Sequence, residues 1–297
     1  MKTSFGVKIF RICNAVFMLL LCFAMLYPYL NQLAISLNEG MDTSFGGITI
    51  FPRKWTWANY EAILKDDLIL RSTFITLISV IARTVLSLVV CVGAAYAVNK
   101  RDLPFRDFLI WFLLIPMYIG AGVIPTYILY RYLGLLNNIM VYIVPGLFSF
   151  YNMIVIRTFL KGLPVSLEES AMLDGANEIQ VLFKIILPLC KPVLATVALW
   201  VSVETWNNWT TTLMYVNEQK LSTLQYVIMQ IIKQSEVVRK MAAESAMMGG
   251  DSSAKAVPTS DSIKAAGIIF STLPIVMVYP FLQKYFVQGV TIGAVKE

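Results

Sequence analysis

The chain has 297 residues, of which 58% are hydrophobic and 14% are charged, and its formal net charge is +6. Soluble globular domains carry about 25% charged residues, so the composition excludes an ordinary soluble domain and predicts an integral membrane protein. The positive charge suits basic cytoplasmic ends, and it does not indicate nucleic-acid binding, because the basic residues form no stripe with interleaved aromatic residues.

A catalytic role finds no support in the residue types. The sequence has no histidine and no Gly-x-x-x-x-Gly-Lys-Ser/Thr loop, so it lacks the commonest general base and the usual phosphate-binding loop. We therefore expect no catalytic residue, no cofactor and no enzyme activity in this chain. The four cysteines lie in or beside apolar segments without metal-ligand spacing, so we expect packing residues, no disulfide and no metal site: Cys13, Cys22, Cys91 and Cys190.

The first predicted element is an apolar run at 12–30, which is long enough to cross a bilayer and follows basic residues up to Arg11. A cleaved signal peptide is the alternative. The run is longer than a usual signal core, however, and Tyr-Pro-Tyr at 27–29 replaces the small residues of a cleavage site. We predict a transmembrane helix that enters from the cytoplasm, followed by a turn-rich external loop at 31–67.

Five further transmembrane helices are predicted in the remaining 68–297, at 68–98, 108–130, 139–160, 192–213 and 265–285. The second helix ends in a basic cytoplasmic turn at 99–106, and Pro116 and Pro125 allow the third helix to bend. The division of the chain is therefore 1–67, with the first helix and its loop, and 68–297. The fold class is all-α, a polytopic membrane protein with both termini cytoplasmic.

An external segment is predicted at 214–264. Its first part has an apolar helical face at 221–231, which suits a helix on the outer membrane surface. Residues 235–264 are polar and contain Gly-Gly-Asp-Ser-Ser, so we expect a mobile excursion. Contact with an external partner protein and disorder without a role are the two interpretations.

Two ionisable residues, Arg83 and Glu204, fall within predicted membrane helices at similar depths. Charges at membrane depth are costly unless they are paired or face water, so we predict an intramembrane ion pair. The competing interpretation is that Arg83 reaches the interface while Glu204 lines a wet cavity.

The segment 163–192 carries four acidic residues and is predicted to be a docking module outside the membrane. Ser166 and Glu169 form a capping-box pattern that starts a short helix, and Gly175 ends it. Asn177 is the predicted N-cap of a second helix, which has Ile179, Leu182, Phe183 and Ile186 on one face and ends at Pro188. A helix pair lying on the membrane surface is the alternative interpretation.

This segment resembles the EAA loop of binding-protein-dependent ABC importer permeases. The motif is Glu-Ala-Ala, three residues, Gly, nine residues, and Ile-x-Leu-Pro, and Ser170 is the one departure from it. The matching residues are Glu169, Ser170, Ala171, Gly175, Ile185, Leu187 and Pro188, and Asp174-Gly175-Ala176 is similar to the sugar-importing branch. The end of the chain, QKYFVQGVTIGAVKE, resembles that of MalG-like sugar permeases.

The resemblance implies a type I ABC importer permease fold and a transmembrane subunit that imports a sugar, most readily an oligosaccharide. It also implies the partners: a second permease subunit, two ATPase subunits that bind the ATP and contact the residues above together with Asp174, an extracytoplasmic sugar-binding protein, and the lipid of a bacterial plasma membrane. An ion-coupled secondary carrier and a non-transporting scaffold or receptor subunit are the alternatives.

The run Trp206-Asn207-Asn208-Trp209 follows Glu204 closely. Its amides and indoles suit either contacts with a sugar in the transport path or anchoring at an interface, and we favour anchoring.

Overall fold

The computed structural model describes residues 5–100, 102–247 and 259–294, and it contains no strand within these ranges. In chain order the α-helices are α1 (Phe5–Ser36), α2 (Gly40–Ser44), α3 (Ala58–Lys65), α4 (Asp67–Asn99), α5 (Arg106–Tyr118), α6 (Val123–Tyr132), α7 (Met140–Ile143), α8 (Phe150–Leu160), α9 (Ser166–Leu173), α10 (Glu178–Val181), α11 (Leu187–Leu189), α12 (Lys191–Trp206), α13 (Thr210–Tyr215), α14 (Leu224–Met247) and α15 (Ser260–Ala294).

Three stretches are each long and apolar enough to cross a bilayer: Gly6–Ser36, Asp67–Asn99 and Ser260–Val278. Three pairs of helices meet the same criterion only together, because each pair bends at a short break. These pairs are Arg106–Tyr118 with Val123–Tyr132 (114°), Met140–Gly146 with Phe150–Leu160 (49°), and Glu178–Leu189 with Lys191–Trp206 (80°). The described residues thus hold three spans, or six if each bent pair is one span, and the predicted all-α membrane class is confirmed.

The predicted third helix is broken and not merely kinked. Pro116 lies inside α5, and the break follows at residues 119–122. Gly122, the N-cap of the next helix, has φ +82°, a backbone conformation that glycine adopts without a steric penalty. Pro125 has no N–H group and fits the first turn of the new helix, so the chain restarts at α6 in another direction.

The chain divides into two compact units. The first comprises Met1–Leu70 and Val227–Pro274, and its loop between α1 and α4 is organised around the buried side chain of Asn38. The Asn38 Oδ1 accepts from the backbone N–H groups of Arg53 and Lys54, at 2.8 Å each. Its Nδ2 donates to Asp42 at 3.0 Å, and this hydrogen bond, assisted by Arg53, lowers the pKa of Asp42.

The second unit comprises Arg71–Tyr226 and Ile275–Glu297. Its core joins the C-terminal half of α4 to α8, to α12 and to the segment that runs from α9 to α12. The small residues Cys91 and Ala95 of α4 are fully buried there, which allows close packing of the helices. The other buried members are Val92, Tyr96, Phe150, Met153, Ile156, Leu160, Ala171, Val181, Ile186, Cys190, Val193, Val197 and Val201.

Helix α14 continues to Met247, into the segment from residue 235 for which we expected a mobile excursion and no helix was predicted. Residues 236–247 are rich in Ala, Glu, Lys and Met, which have high helix propensity, and this local preference explains the difference. The buried residues Leu224, Val227 and Ile228 occupy the apolar face that the sequence predicted. Residues 248–258 lie outside the described residues.

Candidate functional site

The predicted docking module at 163–192, called the docking segment below, begins with helix α9. This helix starts differently from the prediction. Val165 is the N-cap, Ser166 is the first helical residue, and no side chain caps the helix, so the predicted capping box of Ser166 and Glu169 is wrong. Pro164 explains the shift, because its fixed φ favours a helical start directly after it. The Pro164 carbonyl already accepts the Leu167 N–H at 3.2 Å.

Helix α9 ends at a Schellman motif. Gly175 has φ +86°, the Ala176 N–H donates to the Ala171 carbonyl, and the Gly175 N–H donates to the Met172 carbonyl, at 3.0 Å each. A Cβ at Gly175 would meet no atom within 4 Å. The glycine is therefore required by the backbone conformation and not by lack of space.

The second helix of the segment begins at a capping box and runs through Pro188. Asn177 Oδ1 accepts the Gln180 N–H at 2.8 Å, and Gln180 Oε1 accepts the Asn177 N–H at 3.0 Å. The prediction that Pro188 ends this helix is wrong, because Leu182–Ile186 forms a π-helical turn that leads into α11. A π turn changes the hydrogen-bond register ahead of the proline, which cannot donate to a carbonyl one turn before it.

The π turn also divides the apolar face that we predicted for this helix. Ile186 is buried, whereas Ile179 and Phe183 are 68% and 62% exposed. Buried Ala171 and Val181 fix the segment to the core of the second unit, so the segment is an anchored surface and not a mobile loop. Leu173 is 89% exposed, and we refer to the three exposed apolar side chains of this segment, Leu173, Ile179 and Phe183, as the docking patch.

Some of the residues that match the EAA-type motif face the core, and the others are exposed. Ala171 is buried, and Ile185 and Leu187 are half-buried beside the core. The remaining motif residues are exposed: Glu169, Ser170, Asp174, Gly175 and Pro188.

A salt bridge that the sequence did not predict joins this segment to α4. Lys100 Nζ lies 2.7 Å from Glu168 Oε2, both side chains are 20% exposed, and Nζ lies 4.6 Å from the centroid of the Tyr96 ring. Burial tends to lower the pKa of Lys100, but the hydrogen bonds with Glu168 and Tyr96 outweigh it and raise the pKa. Lys100 is therefore charged at neutral pH. The sequence signal for this salt bridge was weak, because Lys100 is only one of several basic residues in the turn at 99–106.

Arg83 and Glu204 are brought together in the second unit. Arg83 Nη2 donates to Glu204 Oε1 at 2.7 Å, although 121 residues separate the two in the chain. Arg83 lies 99 − 83 = 16 residues from the end of α4 and 83 − 67 = 16 from its start, about 24 Å from each at 1.5 Å per residue. The guanidinium packs against Gly146, where a Cβ would overlap it.

A cavity of about 150 Å³ lies beside this ion pair. Tyr130 and Tyr215 line it with ring centroids 4.8 Å apart, and Asn208 and Thr211 add polar groups. Tyr142 closes one side, and its hydroxyl is held at 2.9 Å by both the Thr212 hydroxyl and the Leu221 carbonyl. No pattern in the sequence predicts that these three tyrosines converge, because their convergence depends on long-range packing of α6, α7 and α13.

The Trp-Asn-Asn-Trp run has mixed surroundings. Trp206 is 5% exposed, Trp209 is 36% exposed, and Asn208 lines the cavity. Asn207 accepts a hydrogen bond from Gln225 at 3.3 Å. The indole of Trp206 thus packs within the protein, and Asn208 is the member that a ligand in the cavity could reach. Among the described residues, no three His, Cys, Asp or Glu side chains cluster to hold a metal ion.

Residues 8–292 match the family described as "Binding-protein-dependent transport system inner membrane component". The chain is 35% identical to Protein LplC of Bacillus subtilis (strain 168), over 97% of this chain and 95% of that protein. It is 31% identical to the polygalacturonan/rhamnogalacturonan transport system permease protein YtcP of the same organism, over 94% and 96%.

Two solved structures are similar to this one. A chain of a bacterial ABC transporter involved in the import of the acidic polysaccharide alginate superposes with a TM-score of 0.86, at 28% identity over 96% of this chain and 99% of that chain. A chain of a bacterial alginate ABC transporter in complex with an alginate pentasaccharide-bound periplasmic protein superposes with a TM-score of 0.62 at 13% identity, over 93% and 94%, and shares the fold. The predicted ABC importer permease fold is therefore confirmed.

Proposed function

Because the chain belongs to the family of binding-protein-dependent transport system inner membrane components, we propose that it is a transmembrane permease subunit of an ATP-driven sugar importer. It has no ATPase site of its own in this proposal, and a separate subunit binds the ATP. Its partners are two ATPase subunits, a second permease subunit that forms a heterodimer with it, and an extracytoplasmic binding protein. It lies in the bacterial plasma membrane with both termini and the docking segment in the cytoplasm.

The observation that carries the proposal is the anchored docking segment. Its EAA-type residues Glu169, Asp174 and Gly175 are exposed in the same segment as the docking patch, whose side chains would be costly to leave in water. An exposed apolar patch with acidic neighbours suits a groove on another protein, as in other helix-in-groove complexes. Other residues of the same segment are buried in the core, so a partner bound to the segment is connected to the core helices.

Coupling requires that the partner favours different permease states when it is ATP-bound and ATP-free, because a ligand shifts an equilibrium only by its differential affinity. Two contacts support transmission from the segment to the bundle. Val181 and Ile186 pack into the core with α4 and α12, and Lys100 ties Glu168 to the end of α4. Movement of the segment would therefore displace the two helices that carry Arg83 and Glu204.

The substrate class rests on the relatives. YtcP is described as a transport permease for polygalacturonan/rhamnogalacturonan, and a relative from Thermococcus litoralis, 28% identical over 97% of this chain, is a trehalose/maltose permease. Sugars of different charge and length are represented among these proteins. We therefore propose a sugar, and specifically an oligosaccharide, as the transported substrate.

The bent helix pairs favour one alternative, because broken helices also bind ions in secondary carriers. That alternative gives no role to the docking patch, so we favour the ATP-driven importer.

Copurification tests the proposal. The tagged full-length chain, expressed in its native host and solubilised in mild detergent, should retain an ATPase subunit and hydrolyse ATP. Leu173→Ser removes an apolar side chain that is 89% exposed, so it should release the ATPase while the protein stays folded in the membrane. Uptake driven by an ion gradient without a copurifying ATPase would show that the protein is an ion-coupled secondary carrier. Absence of any transport would favour the non-transporting scaffold or receptor subunit.

A further inference from the structure

The cavity beside Arg83 and Glu204 has the chemistry of a ligand site. Its lining is mainly polar, with Arg83, Glu204, Asn208 and Thr211 beside three tyrosines, and these hydrogen-bonding groups and aromatic rings suit a ligand that carries several hydroxyl groups. Its volume of about 150 Å³ is well below the ~300–1,000 Å³ of sites that enclose a drug-sized molecule. The cavity therefore suits one ring of a larger ligand.

The ion pair presents an acceptor to this cavity. The Arg83 side chain is 11% exposed, whereas the Glu204 side chain is 62% exposed. Among the described residues Arg83 Nε is buried without a hydrogen-bond partner. A buried guanidinium thus holds an open carboxylate, whose second oxygen, Oε2, remains available to accept hydrogen bonds. The pair has no net charge, so the pocket favours hydroxyl groups over a charged group.

An aromatic wall faces the same space. Tyr215 contacts Tyr130 at 4.8 Å and Tyr127 at 6.2 Å between ring centroids, so its ring is held by two neighbours. The C–H groups on the face of a sugar ring are weakly positive and pack well on the negative face of an aromatic ring. Asn208 Oδ1 accepts the Thr211 N–H at 3.0 Å, which leaves the Asn208 NH₂ group as a donor for hydroxyls.

From these contacts we propose that the cavity binds one sugar ring directly. Tyr130 and Tyr215 contact the face of the ring, Glu204 and Asn208 hydrogen-bond its hydroxyl groups, and Glu204 selects an uncharged ring over one that carries a carboxylate. The choice of a sugar as the ligand rests on the proposed function. The binding itself is a property of this chain alone and requires neither the ATPase nor the binding protein.

Saturation-transfer NMR on the purified full-length chain in lipid nanodiscs tests the proposal. The probes are the neutral trisaccharides maltotriose, xylotriose and mannotriose, with trigalacturonic acid as the acidic probe. We expect saturation of ring protons in at least one neutral probe, and a signal about fivefold weaker after Tyr215→Ala, which removes the aromatic face. The control is Tyr132→Ala, which removes the same side chain at a position that is 86% exposed and outside the cavity.

Glu204→Gln separates selectivity from folding. It keeps the shape and one acceptor oxygen but removes the negative charge, so the signal of trigalacturonic acid should rise relative to that of the neutral probes. No saturation in any neutral probe, or an equal loss in Tyr215→Ala and Tyr132→Ala, would overturn the proposal. Because the readout does not involve ATP, a failure here leaves the copurification result untouched, and a failure of copurification leaves this binding result untouched.

Discussion

Arg83 is the residue whose placement needs the strongest physical reason. It lies at the centre of a 33-residue apolar helix, where an unpaired charge costs several kcal/mol. Glu204 Oε1 at 2.7 Å supplies the partner. Arg83→Ala and Glu204→Ala should each lower the melting temperature in detergent. The loss of unfolding free energy in the double variant should be about 1–2 kcal/mol smaller than the sum of the losses in the two single variants. Additive losses would mean that the two side chains are not energetic partners.

Gly146 provides an independent test of the same geometry. Gly146→Ala places a methyl group where the Arg83 guanidinium lies, so the guanidinium must shift, and we expect the free energy of unfolding to fall by about 1–3 kcal/mol. Gly93→Ala is the matched control, because it lies in α4 with no atom within 4 Å of a new Cβ, and helix propensity favours alanine there. Thermal unfolding of both variants decides the matter, and equal stability would contradict the contact.

Gly175 tests whether the docking segment depends on one backbone conformation. Its φ of +86° is tolerated by asparagine much better than by a β-branched residue. Gly175→Asn should therefore retain most ATP-driven uptake, while Gly175→Val should lose nearly all of it and still reach the membrane. Uptake by reconstituted vesicles is the measurement. Equal activity of the two variants would show that the Schellman motif is not required.

At the scale of elements, Lys100 and Glu168 connect α9 to the end of α4. Lys100→Glu should uncouple ATP hydrolysis from uptake, and the charge swap Lys100→Glu with Glu168→Lys should recover part of the coupling, because the two side chains remain opposite in sign. The ratio of sugar transported to ATP hydrolysed is the measurement. No recovery in the swapped variant would argue against the link.

The pH dependence of this link follows from the raised pKa of Lys100. A lysine whose pKa is higher in the folded protein than its usual 10.5 contributes stability that is complete below pH 10.5 and is lost as the pH rises through the folded value. The link is therefore expected to be intact throughout the physiological range. Thermal unfolding of the wild type and Lys100→Met between pH 7 and 9 should differ by a constant amount.

The helices themselves were predictable, and their breaks were not. The apolar run of α4 predicted 68–98, and the structure gives Asp67–Asn99, because length and hydropathy determine a membrane span. The break after α5, the π turn before Pro188 and the N-cap at Val165 depend on local backbone alternatives that differ by about 1 kcal/mol. Helical periodicity carries no information about those choices.

The candidate site shows the same limit. Two ionisable residues in apolar helices predict an ion pair, because an unpaired charge at membrane depth is energetically costly. The tyrosine wall is different, because Tyr130, Tyr142 and Tyr215 come from three helices whose directions depend on the bends. Only the folded chain brings them together.

At the scale of the whole molecule, the region around residues 244–257 tests contact with the binding protein. Helix α14 ends at Met247, and the remainder of this region lies outside the described residues. Replacing 244–257 with a Gly-Ser linker of the same length should weaken stimulation of ATP hydrolysis by the binding protein, because the side chains are lost while the span is kept. Basal hydrolysis should stay unchanged. Equal stimulation before and after replacement would assign no such contact to the region.

The central claim is that a separate ATPase acts on this chain through the docking segment. Its most direct test is the rate of ATP hydrolysis by the reconstituted complex with and without sugar-loaded binding protein, in the wild type, in Glu169→Lys and in the same-sized control Glu169→Gln. We predict stimulation in the wild type, most of it retained in Glu169→Gln, and none in Glu169→Lys, whose reversed charge stands on the exposed side of α9. Full stimulation of the Glu169→Lys complex would contradict the account.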